Sequence, residues 1–456
     1  MNRMTFRLAL RNLGRNLNRN LATGFAVSFG FIAIIVSASY NSRIEYLVRQ
    51  ASIYGSRLGH ITITPPGGFK NSLVDPASYS IDRDQQIKIE AAISSVKNLD
   101  FYAPYLVGTG LVGNGCASYP YVLNAYPSDY LHRVRNTEGY RKFEADSKVW
   151  VKGQELSEVP PQLNGVAIAD GLSRILKKNK MHLETFTTSN KPASLDCTPG
   201  NTEDSLSADS NLQLAGLDWQ GEFTAGDAEI VSIYKGYTID KNDSEIIAPL
   251  DLAQKLYNTD RINGYTVYLK DVDPLRLTNI VKELKEKLSS AGVSVDVFSW
   301  DDESINHIYR QVTDMMGGWF LVIGLVVFGI VALSISNSAT ITVMERSQEI
   351  GMLRSMGYSQ SRIRELFLTE NLLLTVVAML CGAVLAAIVI RIHNQFFIPV
   401  NLPATTTPVN FKMQPAAVDL IVAALFAVFM SIFATTVAVW SFSRQNIVSL
   451  LYKVRS

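Results

Sequence analysis

Apolar positions gather into blocks along this chain. Four stretches, 21–40, 315–344, 371–390 and 420–442, contain no charged residue and run for 20, 30, 20 and 23 residues. A bilayer core of about 30 Å takes roughly 20 helical residues to cross, so each block predicts a membrane span. The buried helix of a soluble protein accounts for one such block, but not for four together. At 1.5 Å per residue the second block makes a helix about 45 Å long, which must tilt or project from the bilayer.

Between 41 and 314 the pattern changes to short alternations and helical periods. Residues 60–64 alternate as a strand that Pro65, Pro66, Gly67 and Gly68 stop. Further strands are predicted at 102–112, 119–125, 229–233, 245–247, 265–269 and 293–298. Helices are predicted at 85–96, with Ile87, Ile89, Ile93 and Val96 as the apolar set, and at 169–176. A third, at 274–289, carries Leu277, Ile280, Val281, Leu284 and Leu288 on one face. Strands and helices follow no regular alternation, which predicts an α+β domain rather than a doubly wound sheet. The stretch 187–211 is dominated by Ser, Thr, Asn, Asp and Pro and predicts a long exposed loop or partly disordered insertion. Ile305, Ile308, Tyr309 and Val312 have helical spacing ahead of the second block, so one continuous helix, a stalk, is expected from about 303 to 344.

Charge then orients the spans. The chain has 456 residues with 42 basic and 41 acidic side chains, a net +1. With 47% hydrophobic residues and a mean hydropathy of +0.12 it is neither disordered nor an ordinary soluble enzyme. The total conceals a split: residues 41–314 carry an excess of 8 acidic charges, and the segments flanking the blocks on the other side an excess of 8 basic ones. Arg3, Arg7, Arg11, Arg15 and Arg19 precede the first block. Arg346, Arg354, Arg362 and Arg364 follow the second, and Arg444, Lys453 and Arg455 follow the fourth. The positive-inside bias places these in the cytoplasm and 41–314 outside. No basic excess suited to nucleic acid is present on a soluble part. The layout expected is a cytoplasmic amphipathic helix (1–20), a first span (21–40), an external domain (41–314) and a second span (315–344). A cytoplasmic segment (345–370), a third span (371–390), a short external loop (391–419), a fourth span (420–442) and a cytoplasmic tail (443–456) complete it. In 1–20, Phe6, Leu10, Leu13 and Leu17 lie away from the arginines, as in a helix at the lipid interface. The first block reads as a retained signal anchor, being longer than the roughly 7–15 apolar residues of a cleaved signal peptide.

Catalytic patterns are missing. No G-x-x-x-x-G-K-[ST] and no H-E-x-x-H occurs, and the five histidines are scattered. Gly108, Gly110 and Gly113 match G-x-G-x-x-G without the strand–turn–helix context that binds dinucleotides, and read as a glycine-rich strand and turn. No catalytic, metal-ligating or cofactor-binding residue is assigned. The blocks hold no Asp, Glu, Lys, Arg or His, which argues against a proton relay or ion-coupled transporter. Asn337, with neighbouring serines and threonines, is expected to bond between helices. Cys116 and Cys197 both lie on the oxidising side. A disulfide between them and two free thiols both remain open. Cys381 is a packing residue within a span.

The richest segment is cytoplasmic: Glu345, Arg346, Glu349, Ile350, Gly351, Leu353, Arg354, Met356 and Gly357 at fixed spacing, then Ile363, Leu366, Phe367 and Glu370. The pattern resembles the signature of the MacB/LolC/FtsX permease family of type VII ABC transporters. One span, a large external domain and three further spans are also that family's layout. The resemblance implies a MacB-like periplasmic core domain and multi-pass placement in a bacterial inner membrane. It implies mechanotransmission, in which a separate P-loop ATPase dimer binds ATP and Mg and moves the permease, so this subunit is not itself the enzyme. It makes the segment from Glu345 to Gly357 the coupling helix. Arg346, Glu349 and Arg354 are its expected polar contacts, and Ile350, Leu353 and Met356 its apolar ones. The implied partners are the ATPase, a second permease (homodimer or paralogous heterodimer), membrane lipid, and a periplasmic adaptor, carrier or hydrolase. The implied function is lipoprotein release or export of a periplasmic or outer-leaflet substrate. The alternative is a non-transporting signalling permease that activates a cell-wall hydrolase.

Overall fold

The computed structural model describes residues 17–443, apart from 148, 180, 182–196, 198–209, 271–272, 397 and 401–404. Most of the amphipathic segment 1–20, the tail beyond 443 and most of the insertion 187–211 therefore lie outside the described residues. The chain forms two compact units. One takes the chain through Glu45, Val312–Ile398 and the chain from Phe411; the other takes Tyr46–Gln311 and Pro399–Asn410.

The first unit is helical. Its elements are α1 (Leu17–Gln50), α2 (His307–Glu345), α3 (Ser347–Ser355), α4 (Gln360–His393) and α5 (Ala417–Ser443), with α1 and α2 reaching beyond the unit. All but α3 are long and apolar enough to cross a membrane. The 39 residues of α2 make a helix about 58 Å long, more than a bilayer core needs. Phe31, Ile34 and Ile35 of α1 pack with Ala386 and Ile390 of α4 and with Ala423 and Ala427 of α5. Val27 joins Val331 and Ile335 of α2. Small residues let the backbones approach, as expected where water supplies no hydrophobic drive between helices. Ser28 Oγ donates to the Ala378 carbonyl at 2.7 Å, and Thr375 and Ser431 share a hydroxyl bond of 2.8 Å. The outward residues, among them Leu325, Leu333, Val384 and Leu425, are apolar and exposed, a surface made for lipid. The polar group on α2 departs from expectation. Thr342 Oγ1 returns to the Ser338 carbonyl within its own helix, as i−4 back-bonding allows. Asn337 is exposed.

The second unit is a mixed α+β domain. Its strands are β1 (Ile61–Thr64), β2 (Leu99–Gly113), β3 (Ser118–Tyr126), β4 (Val151–Gly153), β5 (Gly165–Ala169), β6 (Asn211–Leu217), β7 (Phe223–Tyr234), β8 (Glu245–Pro249), β9 (Gly264–Leu269) and β10 (Asp296–Ser299). They form one sheet in the order β10-β1-β9-β2-β3-β8-β5-β7-β4, with β6 pairing β2 and β7. The pairs β3/β8 and β5/β7 are parallel and the others antiparallel. The long β2 bridges the halves of the sheet: residues 99–105 pair with β9, and 106–113 with β3. Two cores form against the sheet, one around Ile61, Tyr265 and Tyr268, the other around Leu123, Ile168 and Ile246. A short hairpin, β11 (Pro399–Val400) with β12 (Val409–Asn410), belongs to the same unit, where Thr406 Oγ1 donates to the Gly236 carbonyl.

The helix Arg83–Ser94 starts at a capping box made by Asp82 and Gln85. Ile89 and Ile93 are buried in it, but Ile87 is 59% exposed. Gln86 takes the inward position and donates to the Ile81 and Asp260 carbonyls, which satisfies its amide. The helix Pro274–Ser290 buries Leu277, Leu284 and Leu288. The final strand begins at Asp296 rather than 293, because the Val293 amide is spent on the Leu288 carbonyl at the end of that helix. The glycine motif lies within β2. A Cβ at Gly108 would meet the Tyr257 ring, and one at Gly110 the Ala215 carbonyl. These glycines admit close neighbours to the strand.

Candidate functional site

The segment expected to act in coupling, Glu345 to Gly357, lies at the junction of α2, α3 and α4. The chain stays helical through Arg346, whose amide bonds the Thr342 carbonyl and whose own carbonyl accepts from Ile350. That continuity turns the Arg346 side chain inward. Its guanidinium, 10% exposed, lies 3.1 Å from the Glu370 carboxylate, 9% exposed. One turn on, Ile350 packs with Val343, Ile363 and Phe367. Gly351 is buried beside it. The segment ends at Gly357, whose φ of +89° is a left-handed conformation that closes a helix at little cost for glycine. Ser359 then caps α4, its hydroxyl accepting from the Arg362 amide.

The opposite face looks outward. Met352 is 58% and Met356 76% exposed, Tyr358 is exposed, and Glu345 and Glu349 lie on the surface. The side chains of Leu353 and Arg354 lie outside the described residues. Thus the structure spends Arg346 and Ile350, both expected to meet a partner, inside the chain. It presents Met352, which the expected contact set omitted. Glu370 was legible only as part of the signature.

A second buried network sits in the other unit. The last turn before the sheet, Ala51–Gly55, is π-helical. Arg57 follows at φ +60°, a conformation costing a non-glycine residue about 1–2 kcal/mol. Glu245 at the start of β8 explains why it is held. Arg57 donates both terminal nitrogens to Glu245 Oε2, Tyr234 donates its hydroxyl to the same oxygen at 2.7 Å, and Asn124 Nδ2 donates to Oε1 at 2.7 Å. Burial opposes ionisation of Glu245, but Arg57 and Lys241 outweigh it and hold its carboxyl below the usual value. Nearby, burial lowers His60 to about 4, and its Nδ1 accepts from the Leu269 amide at 3.2 Å. Cys116 and Cys197 are joined by a disulfide. Among the described residues no cluster of three or more His, Cys, Asp or Glu is placed to hold a metal.

Comparison with known proteins gives this geometry a context. Residues 321–447, which contain the whole coupling segment, match the family model for the FtsX-like permease C-terminal region. The chain is 24% identical over 208 residues to the macrolide export ATP-binding/permease protein MacB of Neisseria gonorrhoeae, a match to 43% of this chain and 30% of that protein. It is 30% identical over 134 residues to the ABC transporter permease YtrF of Bacillus subtilis, covering 26% of this chain and 30% of the relative. The chain thus matches less than a third of the length of either relative. The periplasmic region of MacB from Actinobacillus actinomycetemcomitans aligns in structure with 55% of this chain and 91% of its own, at 13% identity and a TM-score of 0.32.

Proposed function

From the premise that its membrane part is that of an FtsX-like permease, we propose that this chain is the permease subunit of an ABC transporter driven by a separate P-loop ATPase. The observation that carries this reading is the two-sided build of the coupling segment. Its inner face is fastened by Arg346–Glu370 and by Ile350, while Met352, Met356 and Tyr358 remain exposed in a row. A short helix fixed from behind, with Met352 among polar residues in front and Met356 and Tyr358 exposed just past its end, suits docking in a partner's groove. The ATPase dimer binds ATP and Mg, closes, and moves α3; α2 and α4, which flank it in sequence, carry the motion along their length. Work is then done on the external side of a bacterial inner membrane, as lipoprotein release or export of an outer-leaflet or periplasmic substrate.

A second permease copy or paralogue is part of the proposal. Val326, Ile330, Leu333, Asn337, Ile341 and Met344 make an exposed stripe along α2 at spacings of three or four. The Asn337 amide has no hydrogen-bond partner among the described residues, and such a group is costly against lipid tails. A facing helix satisfies it.

The test is ATPase activity of the purified ATPase reconstituted with this chain in lipid. Met356→Asp is expected to lower the stimulation by the permease about tenfold or more, since a charge in an apolar groove costs well over 1.4 kcal/mol. Undiminished stimulation in a variant that assembles normally overturns the assignment of this face.

A further inference from the structure

A cavity of about 360 Å³ opens beside the Arg57–Glu245 network in the outer unit, a size within the range of small-molecule sites. One wall is apolar and aromatic: Phe69, Leu73, Tyr105, Val107 and Val122. The other is polar and carries Arg57, Lys241 and Glu245.

The polar wall has one cation too many. Both oxygens of Glu245 are already engaged, Oε2 by Arg57 and Tyr234 and Oε1 by Asn124. One carboxylate therefore faces two cations. Lys241 Nζ donates to the Ser56 carbonyl at 3.0 Å. An ammonium has three donors, so two N–H bonds remain for the cavity. Arg57, 7% exposed, also keeps a buried Nε with no acceptor. Asp240 stands exposed at the rim, while the charges that act on Lys241 are those of Glu245 and Arg57. Burial, with Arg57 adding to it and Glu245 opposing, lowers Lys241 to about 8. A second anion beside Lys241 would balance the wall, and buried polar groups without partners are otherwise costly.

We propose that this cavity binds an amphiphile with a single anionic head, the head on Lys241 and the apolar body against Phe69, Tyr105 and Val122. Carboxylate and phosphate heads share the chemistry required. The proposal does not depend on an ATPase partner, so its failure leaves the permease reading untouched.

The experiment uses the full chain in lipid nanodiscs with three photoreactive probes, each carrying a diazirine on an eight-carbon chain: octanoate, octyl phosphate and octanol. Labelled peptides are mapped by mass spectrometry. The anionic probes are expected to label segments bearing Leu73 and Tyr105, about tenfold above the alcohol, as loss of charge-assisted hydrogen bonds implies. Their ratio assigns the head group as carboxylate or phosphate. Lys241→Met should remove the advantage of the anions, and Val122→Trp, which fills the cavity from the apolar side, should remove labelling by all three. The alcohol comparison is made on the unaltered protein, so it stands even if a variant folds poorly. Equal labelling by acid and alcohol, or labelling confined to the membrane helices, overturns the proposal.

Discussion

Among the described residues, each compact unit contains a buried arginine–carboxylate pair, Arg57–Glu245 in the outer unit and Arg346–Glu370 in the helical one. Around Glu245 a tyrosine hydroxyl, an asparagine amide and a second cation join Arg57, and the arginine is held in a left-handed backbone conformation to reach it. At the coupling segment, Arg346 meets Glu370 through one terminal nitrogen at 3.1 Å, and its other, Nη2, is buried without an acceptor. The first pair joins residues 188 apart and organises a sheet; the second joins residues 24 apart and pins a helix of 9 residues. The difference teaches that burial alone does not make two ion pairs alike. One pair ties distant strands of a sheet together, and the other fastens two helices that are neighbours in sequence.

That contrast can be broken most forcefully at Glu245. Glu245→Ala leaves Arg57 and Lys241 without their carboxylate, and removing one partner of a buried pair costs about 3–5 kcal/mol. Denaturant unfolding followed by tyrosine near-ultraviolet signals should show it; a loss under about 1 kcal/mol would mean that water solvates the two cations. Arg346→Met should cost less, about 1–3 kcal/mol, through loss of the charge-assisted bond to the buried Glu370. The double variant Arg346→Met/Glu370→Leu should recover part of that loss, and strictly additive losses would deny the pair any coupling.

Acid acts on the outer unit through His60. The folded protein keeps this imidazole neutral down to about pH 4, whereas the unfolded chain takes up its proton near 6.5. The unfolded state thus binds more protons between these values, and stability falls as the pH drops through the window, by about 1.4 kcal/mol per unit. Hydrogen exchange at the Leu269 amide, which bonds His60 Nδ1, should accelerate in step, and His60→Phe should flatten the slope. The smallest effect on stability belongs to Met356→Asp, within about 0.5 kcal/mol, because this exposed side chain leaves the fold unchanged. A variant that is stable yet uncoupled would separate the outer face of α3 from its inner one.

Much of the architecture was legible along the chain because each signal was local. Uncharged blocks marked the four long helices, alternation marked β1, and Gly357 marked the end of the short helical segment after α2. What escaped notice depended on distant partners. The strands β4, β5 and β6 are short or flat in pattern, and their pairing comes from β7 and β8. The helices Tyr130–Asn136, Glu138–Ser147 and Leu250–Leu256 have too few turns to show a period. Ile87 was mistaken for core because a buried glutamine with two carbonyl partners is invisible in a hydrophobic count. Arg346 looked like a surface charge for the same reason: its partner lies one helix away.

The disulfide turns the order of synthesis into a lock. Cys116 leaves the ribosome 81 residues ahead of Cys197, and the loop they close contains β3, β4 and β5. On a chain threaded outward, the first thiol must wait, reduced and open to other disulfides, until the second has crossed. Once closed, the bond is a lasting stamp of which face of the membrane the sheet was assembled on. A thiol-trapping gel on newly made chains would read that stamp directly: molecules left inside keep both thiols, and those that crossed do not.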